Sequence, residues 1–67
     1  MNKNLTPSPE LLTRVRAGFM VKGTSLHKWC QENGVKYANA RQALIGAWDG
    51  PMGKKLRAKL IARAGLE

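Results

Sequence analysis

"WCQENGVKYANARQAL", Trp29 to Leu44, is the stretch on which the fold turns. Two helix-like runs flank Asn33-Gly34-Val35, and a small residue, Cys30, stands four places before Gly34. Glycine enters the left-handed backbone region without a Cβ penalty, so Gly34 ends the first run and turns the chain. A glycine-containing connection this short makes two helices cross steeply instead of lying side by side. Close crossing needs a small side chain where they meet, and Cys30 supplies it. Val35 plugs the space beneath the turn, Ala40 lets the second helix approach, and Leu44 packs under it. The plainer rival is a structural corner in a helical bundle.

Helical signals continue on both sides. Upstream of the turn, a helix is expected over 26–33, capped by Thr24 or Ser25, with Leu26, Trp29, Cys30 and Asn33 on one face. Downstream, a helix is expected over 37–45, with Tyr37, Ala40, Leu44 and Trp48 on one face. It reaches Trp48 unless Gly46 stops it first. An earlier helix is expected over 9–21. Ser8 caps it, Pro9 suits the first position, Glu10 complements the dipole, and Leu12, Val15 and Phe19 form the stripe. Gly18 inside it costs about 1 kcal/mol against alanine and marks a close crossing. A last helix follows the Asp49-Gly50 turn, from Pro51 to Gly65, with Leu56, Leu60 and Ala64 in a row and Ile61 beside them. Val, Ile and Thr never alternate with polar residues, so strand signal is nearly absent. The expected fold is all-α, a compact bundle of four to five short helices. Residues 1–7 read as an N-terminal tail and 8–66 as the domain.

Composition bounds what such a domain does. The chain has 67 residues, one domain at most, and a chain this short buries only about 60% of its unfolded surface. Apolar residues make up 43%, as in globular proteins. One cysteine and one histidine allow neither a disulfide framework nor a four-ligand zinc site, so no metal or cofactor is expected. No apolar run approaches a membrane span, and Met1-Asn2-Lys3-Asn4 lacks a signal-peptide pattern, so a cytoplasmic setting is expected. Twelve Lys and Arg face four acids, a net charge of +8. A small domain this basic attracts polyanions, and nucleic acid is the default partner. Charge kept for solubility is the rival reading.

With a short glycine turn between two amphipathic helices and this charge, the chain resembles the lambda-repressor-like helix–turn–helix domains of phage repressors, Cro and Ner proteins, over residues 9–66. "GTSLHKWCQENGVKYANARQALIGAWDGP", residues 23–51, is similar to a small DNA-binding family of Mu-like phages and prophages. Cys30 and Ala40 depart from the wider repressor pattern, where Ala and a β-branched residue are usual. The resemblance implies a helix–turn–helix over about residues 25–46 whose second helix enters the major groove. It implies that Lys36, Tyr37, Ala38, Arg41 and Gln42 read the DNA. Side-chain chemistry adds detail. Arg41 suits guanine O6 and N7, Gln42 suits adenine N6 and N7, and Ala38 can touch a thymine methyl. Tyr37 fits either a DNA contact or the core. Asn39 fits a base, a phosphate or the turn.

Phosphate contacts are expected at the start of the 26–33 helix. Thr24 and Ser25 hydroxyls and free backbone N–H groups lie there, and His27 and Lys28 stand in its first turn. Cations there oppose the helix dipole, and a phosphate relieves the conflict. In "GKKLRAKLIARAG", residues 53–65, Lys54 and Lys55 are the phosphate candidates, and Lys59 and Arg63 read as solvent-facing. The whole run is either a phosphate-tracking face or a solvated helix face. Arg14 and Lys22 are candidates to flank the groove. Trp29 and Trp48 read as core, and so does Cys30. A nucleophilic Cys30 needs a basic neighbour, and His27 stands three residues before it.

The expected function is a sequence-specific double-stranded DNA-binding regulator. It would be a phage or prophage repressor or autorepressor, in an operon such as one encoding an anti-CRISPR protein. A homodimer is expected, because one copy makes few base contacts, with Ile45, Met52 and Leu66 as candidate dimer residues. The alternatives are RNA or non-specific DNA binding, and an interaction module in phage assembly. No small-molecule substrate is expected, and without a carboxylate pair, Cys–His–acid set or phosphate loop an enzyme is not expected.

Overall fold

Ser8 opens the first helix in the computed structural model of the chain, which describes residues 5–66. Its hydroxyl accepts a hydrogen bond from the Leu11 amide at 3.1 Å, and Pro9 and Glu10 occupy the first turn. The elements are α1 (Pro9–Val21), α2 (Leu26–Glu32), α3 (Tyr37–Ile45) and α4 (Pro51–Arg63), with no strand among the described residues. The chain is therefore an all-helical bundle, as the sequence patterning predicts. The first four residues of the expected N-terminal tail lie outside the described residues.

The turn at Gly34 works through its backbone. Gly34 takes φ +67°, and the following Val35 amide donates to the Cys30 carbonyl at 2.9 Å. That bond, from the residue after the left-handed glycine back to the last turn, closes α2 and sets Val35 against the core. Thr24 N–H to Phe19 O (3.0 Å) closes α1 in the same way, and Leu66 N–H to Ile61 O (3.1 Å) closes α4. Leu66 is thereby half-buried against the core. Gly46, at φ +93°, stops α3 before Trp48.

The core gathers Leu11, Val15 and Phe19 from α1, Leu26, Trp29 and Cys30 from α2, Ala40 and Leu44 from α3, and Leu60, Ile61 and Ala64 from α4. Two stripe expectations change. Leu11, not Leu12, is fully buried, and Leu12 is half-buried. The reason is Gly18, two helical turns after Leu11 on the same line. A Cβ on Gly18 would collide with the Ala64 carbonyl oxygen and stand 2.9 Å from the Ala64 Cβ. The α1–α4 crossing rolls α1 so that Gly18 and Leu11 face inward. Asn33 is exposed at the α2 C-cap, where its side-chain amide donates to the Trp29 carbonyl at 2.8 Å.

Helix α3 packs against each of the other three helices. It buries Ala40, Ala43 and Leu44, and two alanines of three allow close approach on several sides at once. Trp48 leaves the α3 stripe and lies on the first turn of α4. Gly53 makes room for it, since a Cβ there would collide with the Trp48 carbonyl oxygen and stand 3.1 Å from the ring Cγ. Trp48 is half-buried and outside the core cluster, unlike Trp29, whose ring tilts against Phe19 at 6.3 Å.

Arg57 fastens α4 to the end of α3. One guanidinium nitrogen donates to the Ala43 carbonyl at 2.9 Å and another to Asp49 Oδ1 at 2.8 Å. Its side chain is only 13% exposed. Arg57 thus leaves the cationic run at 53–65 and acts as a structural clamp. Arg57→Lys is expected to lose about 1–2 kcal/mol, because a single ammonium replaces a planar fork aimed at two acceptors. Urea denaturation measures this, and a loss no larger than that of Lys59→Arg contradicts the clamp.

Candidate nucleic-acid interface

Three of the four helices begin without an acidic residue in the first turn, and only α1 carries one, Glu10. Cations stand at those starts instead: Lys28 in α2, Lys36 at the α3 N-cap, and Lys54 and Lys55 in α4. All four are exposed. Positive side chains there add to the positive end of each helix dipole, so the field favours an incoming anion.

One ring contact joins the starts of α2 and α3. The His27 ring, in the first turn of α2, stacks on the Tyr37 ring, in the first turn of α3, at 4.3 Å and 19°. Tyr37 is half-buried against the core as well. Its packing role is thus visible, and His27 is engaged with Tyr37. On the other side of α3, Lys36 and Asn39 share a groove with Lys55 of α4. Helical geometry places Ala38, Arg41 and Gln42 opposite the buried Ala40, Ala43 and Leu44, and all three are exposed. Asn39 and Tyr37 form the two flanks of that outer face.

At the start of α2, Ser25 is the N-cap, and its hydroxyl accepts from the Lys28 amide at 3.0 Å. One of the backbone donors expected to be free for phosphate is therefore satisfied internally. Thr24 is half-buried, with its amide bonded to Phe19 O. Lys22, a candidate to flank the groove, is exposed at the C-cap of α1. Its ammonium donates to the Arg63 carbonyl at 2.7 Å, across the closed end of α4. Cys30 is 2% exposed, and burial pushes its thiol pKa up, which disfavours the reactive thiolate.

The groove itself has no counterpart in the sequence reading. It measures about 720 Å³ and lies between the α2–α3 turn, the start of α3, Trp48 and one face of α4. Met52, Lys55, Leu56 and Lys59 recur at helical spacing on the α4 face that lines it, and Leu56 of that face also packs against the core. Of the candidate dimer residues, Met52 is 69% exposed and Ile45 is half-buried. Met20 and Val21, which no sequence pattern singles out, are exposed by 68% and 87% at the end of α1.

Among the described residues, no three His, Cys, Asp or Glu are grouped to hold a metal ion, and no helix is long and apolar enough to cross a membrane. Comparison of the chain with family models, curated proteins and solved structures finds no match.

Proposed function

We propose that this chain is a sequence-specific DNA-binding regulator that acts by occluding a promoter. One observation carries the reading. Ala38, Arg41 and Gln42 form an exposed face of α3, in a domain whose α2, α3 and α4 starts bear cations and no acid. A nine-residue helix is roughly 14 Å long, which suits entry into a major groove about 12 Å wide. Arg41 donates twice to a guanine, Gln42 pairs with an adenine, and Ala38 meets a thymine methyl. Lys28, Lys36, Lys54 and Lys55 take phosphates, fixing register without reading sequence. Packing of α3 against every other helix gives the reading face a rigid mount.

The resemblance to Cro and Ner proteins extends the proposal to a phage or prophage repressor acting as a homodimer. Half-sites one helical turn apart are about 34 Å from centre to centre, and the molecule is 27 Å across, so two copies fit side by side.

The test begins by selecting duplexes from a random library on the full chain. Arg41→Ala should then cost about 1–3 kcal/mol on the selected site and relax one base position. Lys55→Ala should weaken selected and scrambled duplexes alike. Enrichment of no motif, with equal binding to scrambled duplex or RNA, defeats sequence-specific regulation. If the two variants behave identically, the division between reading and positioning fails.

A further inference from the structure

The groove beside α3 has more structure than a phosphate-tracking surface requires. Val35, Trp48, Met52 and Leu56 give it an apolar floor. Trp48 is fixed in that floor by the missing side chain of Gly53 and by its own amide, which donates to the Gln42 carbonyl at 3.1 Å. Lys36 stands on one side, and Lys55 and Lys59, one helical turn apart, stand on the other. No lining residue is acidic. Asp49, next to Trp48 in the chain, is engaged by Arg57 at 2.8 Å. Such an arrangement leaves apolar surface exposed, with Met52 at 69%, beneath three ammonium groups that lack a counter-charge within the groove.

We infer that this groove binds a small amphipathic anion: a flat or short-chain apolar body carrying one carboxylate, sulfonate or phosphate group. Its volume, about 720 Å³, lies within the range of small-molecule sites, which join an apolar lining to a few convergent polar groups. The apolar body covers Trp48, Met52 and Leu56. The anionic head reaches the lysines, whose aliphatic stems line the sides while their ammonium groups stay at the rim. A cation is repelled, and a neutral ligand gains only the floor. Lys36, Asn39 and Lys55 border both the groove and α3, so occupancy and duplex binding compete. That consequence rests on the proposed DNA reading, and the site itself does not.

The probe is 2-naphthoate at pH 7, titrated into the full ¹⁵N-labelled chain, with neutral 2-naphthamide as its matched control. Naphthoate is expected to give saturable shifts confined to Gly34–Lys36, Asn39, the Trp48 indole, Met52 and Lys55. Naphthamide is expected to bind about fivefold more weakly, the effect of losing exposed ion pairs. The Lys55→Gln/Lys59→Gln double variant, altered only at exposed positions, should weaken naphthoate by a similar factor and leave the thermal midpoint unchanged. The site is overturned by equal binding of the two probes or by shifts scattered over α1. It is also overturned if no saturation is seen by about 5 mM, beyond the weakest useful affinity. If naphthoate binds as expected but does not displace duplex, the competition is overturned and the site stands. If naphthoate binds and no duplex binds at all, only the DNA reading falls.

Discussion

Leu44→Ala is expected to lower stability by about 2–5 kcal/mol, the usual cost of removing a fully buried leucine side chain and leaving a partly collapsed cavity. Leu44 is 0% exposed. Its backbone carbonyl also accepts from the Ser8 amide at 3.0 Å, so α3 is pinned to the start of α1 at this residue. A cavity there opens in the core cluster to which all four helices contribute. The flanking core residues Ala40 and Ala43 are too small to fill it. A domain of 67 residues has roughly 3–10 kcal/mol of stability in total, so the variant sits close to unfolding at 25 °C. Urea denaturation followed by helical circular dichroism measures the loss. Gln42→Ala, two residues away and exposed, should change stability by less than about 0.5 kcal/mol. A cost for Leu44→Ala below that of Gln42→Ala would mean that α3 is not the hub of the core.

Salt is expected to weaken duplex binding steeply. Four exposed lysines at the helix starts, Lys28, Lys36, Lys54 and Lys55, are the phosphate contacts in the proposal. Each phosphate neutralised releases counterions, with a slope of about −0.9 in log affinity against log salt. Four contacts give a slope of about −3.6, hence roughly a 150-fold loss between 50 and 200 mM salt. A homodimer doubles the slope to about −7, so the same titration reports the number of bound copies. Fluorescence anisotropy on a labelled duplex gives the slope directly. Arg57→Gln should leave it unchanged, because Arg57 is held by Asp49 and the Ala43 carbonyl. A slope shallower than about −1.5, or one that Arg57→Gln reduces by a full unit, contradicts this assignment of charges.

Helix boundaries were legible because capping chemistry is local. Ser8, Pro9, Ser25, Gly34, Gly46 and Pro51 act on backbone groups within four residues of themselves. Faces were less legible. Leu11 and Leu12 are both apolar and adjacent, and the burial of Leu11 goes with the close approach of Gly18, on the same side of α1, to Ala64. Trp48 shares the helical period of α3 but lies beyond Gly46, so its place depends on α4. In the cationic run at 53–65, composition cannot separate Arg57 from its neighbours. Its two acceptors come from the end of α3 and the following turn.

Residue type and short-range spacing determined the helical class, the approximate span of each helix and the excess of positive charge. Tertiary structure alone decided where that charge is free. It tied Lys22 to the end of α4 and Arg57 to Asp49, and left Lys28, Lys36, Lys54 and Lys55 exposed. It also opened the groove beneath Lys36, Lys55 and Lys59. The physical reason is that a surface is formed by residues distant in the chain, and which of them meet is set by how the buried faces pack.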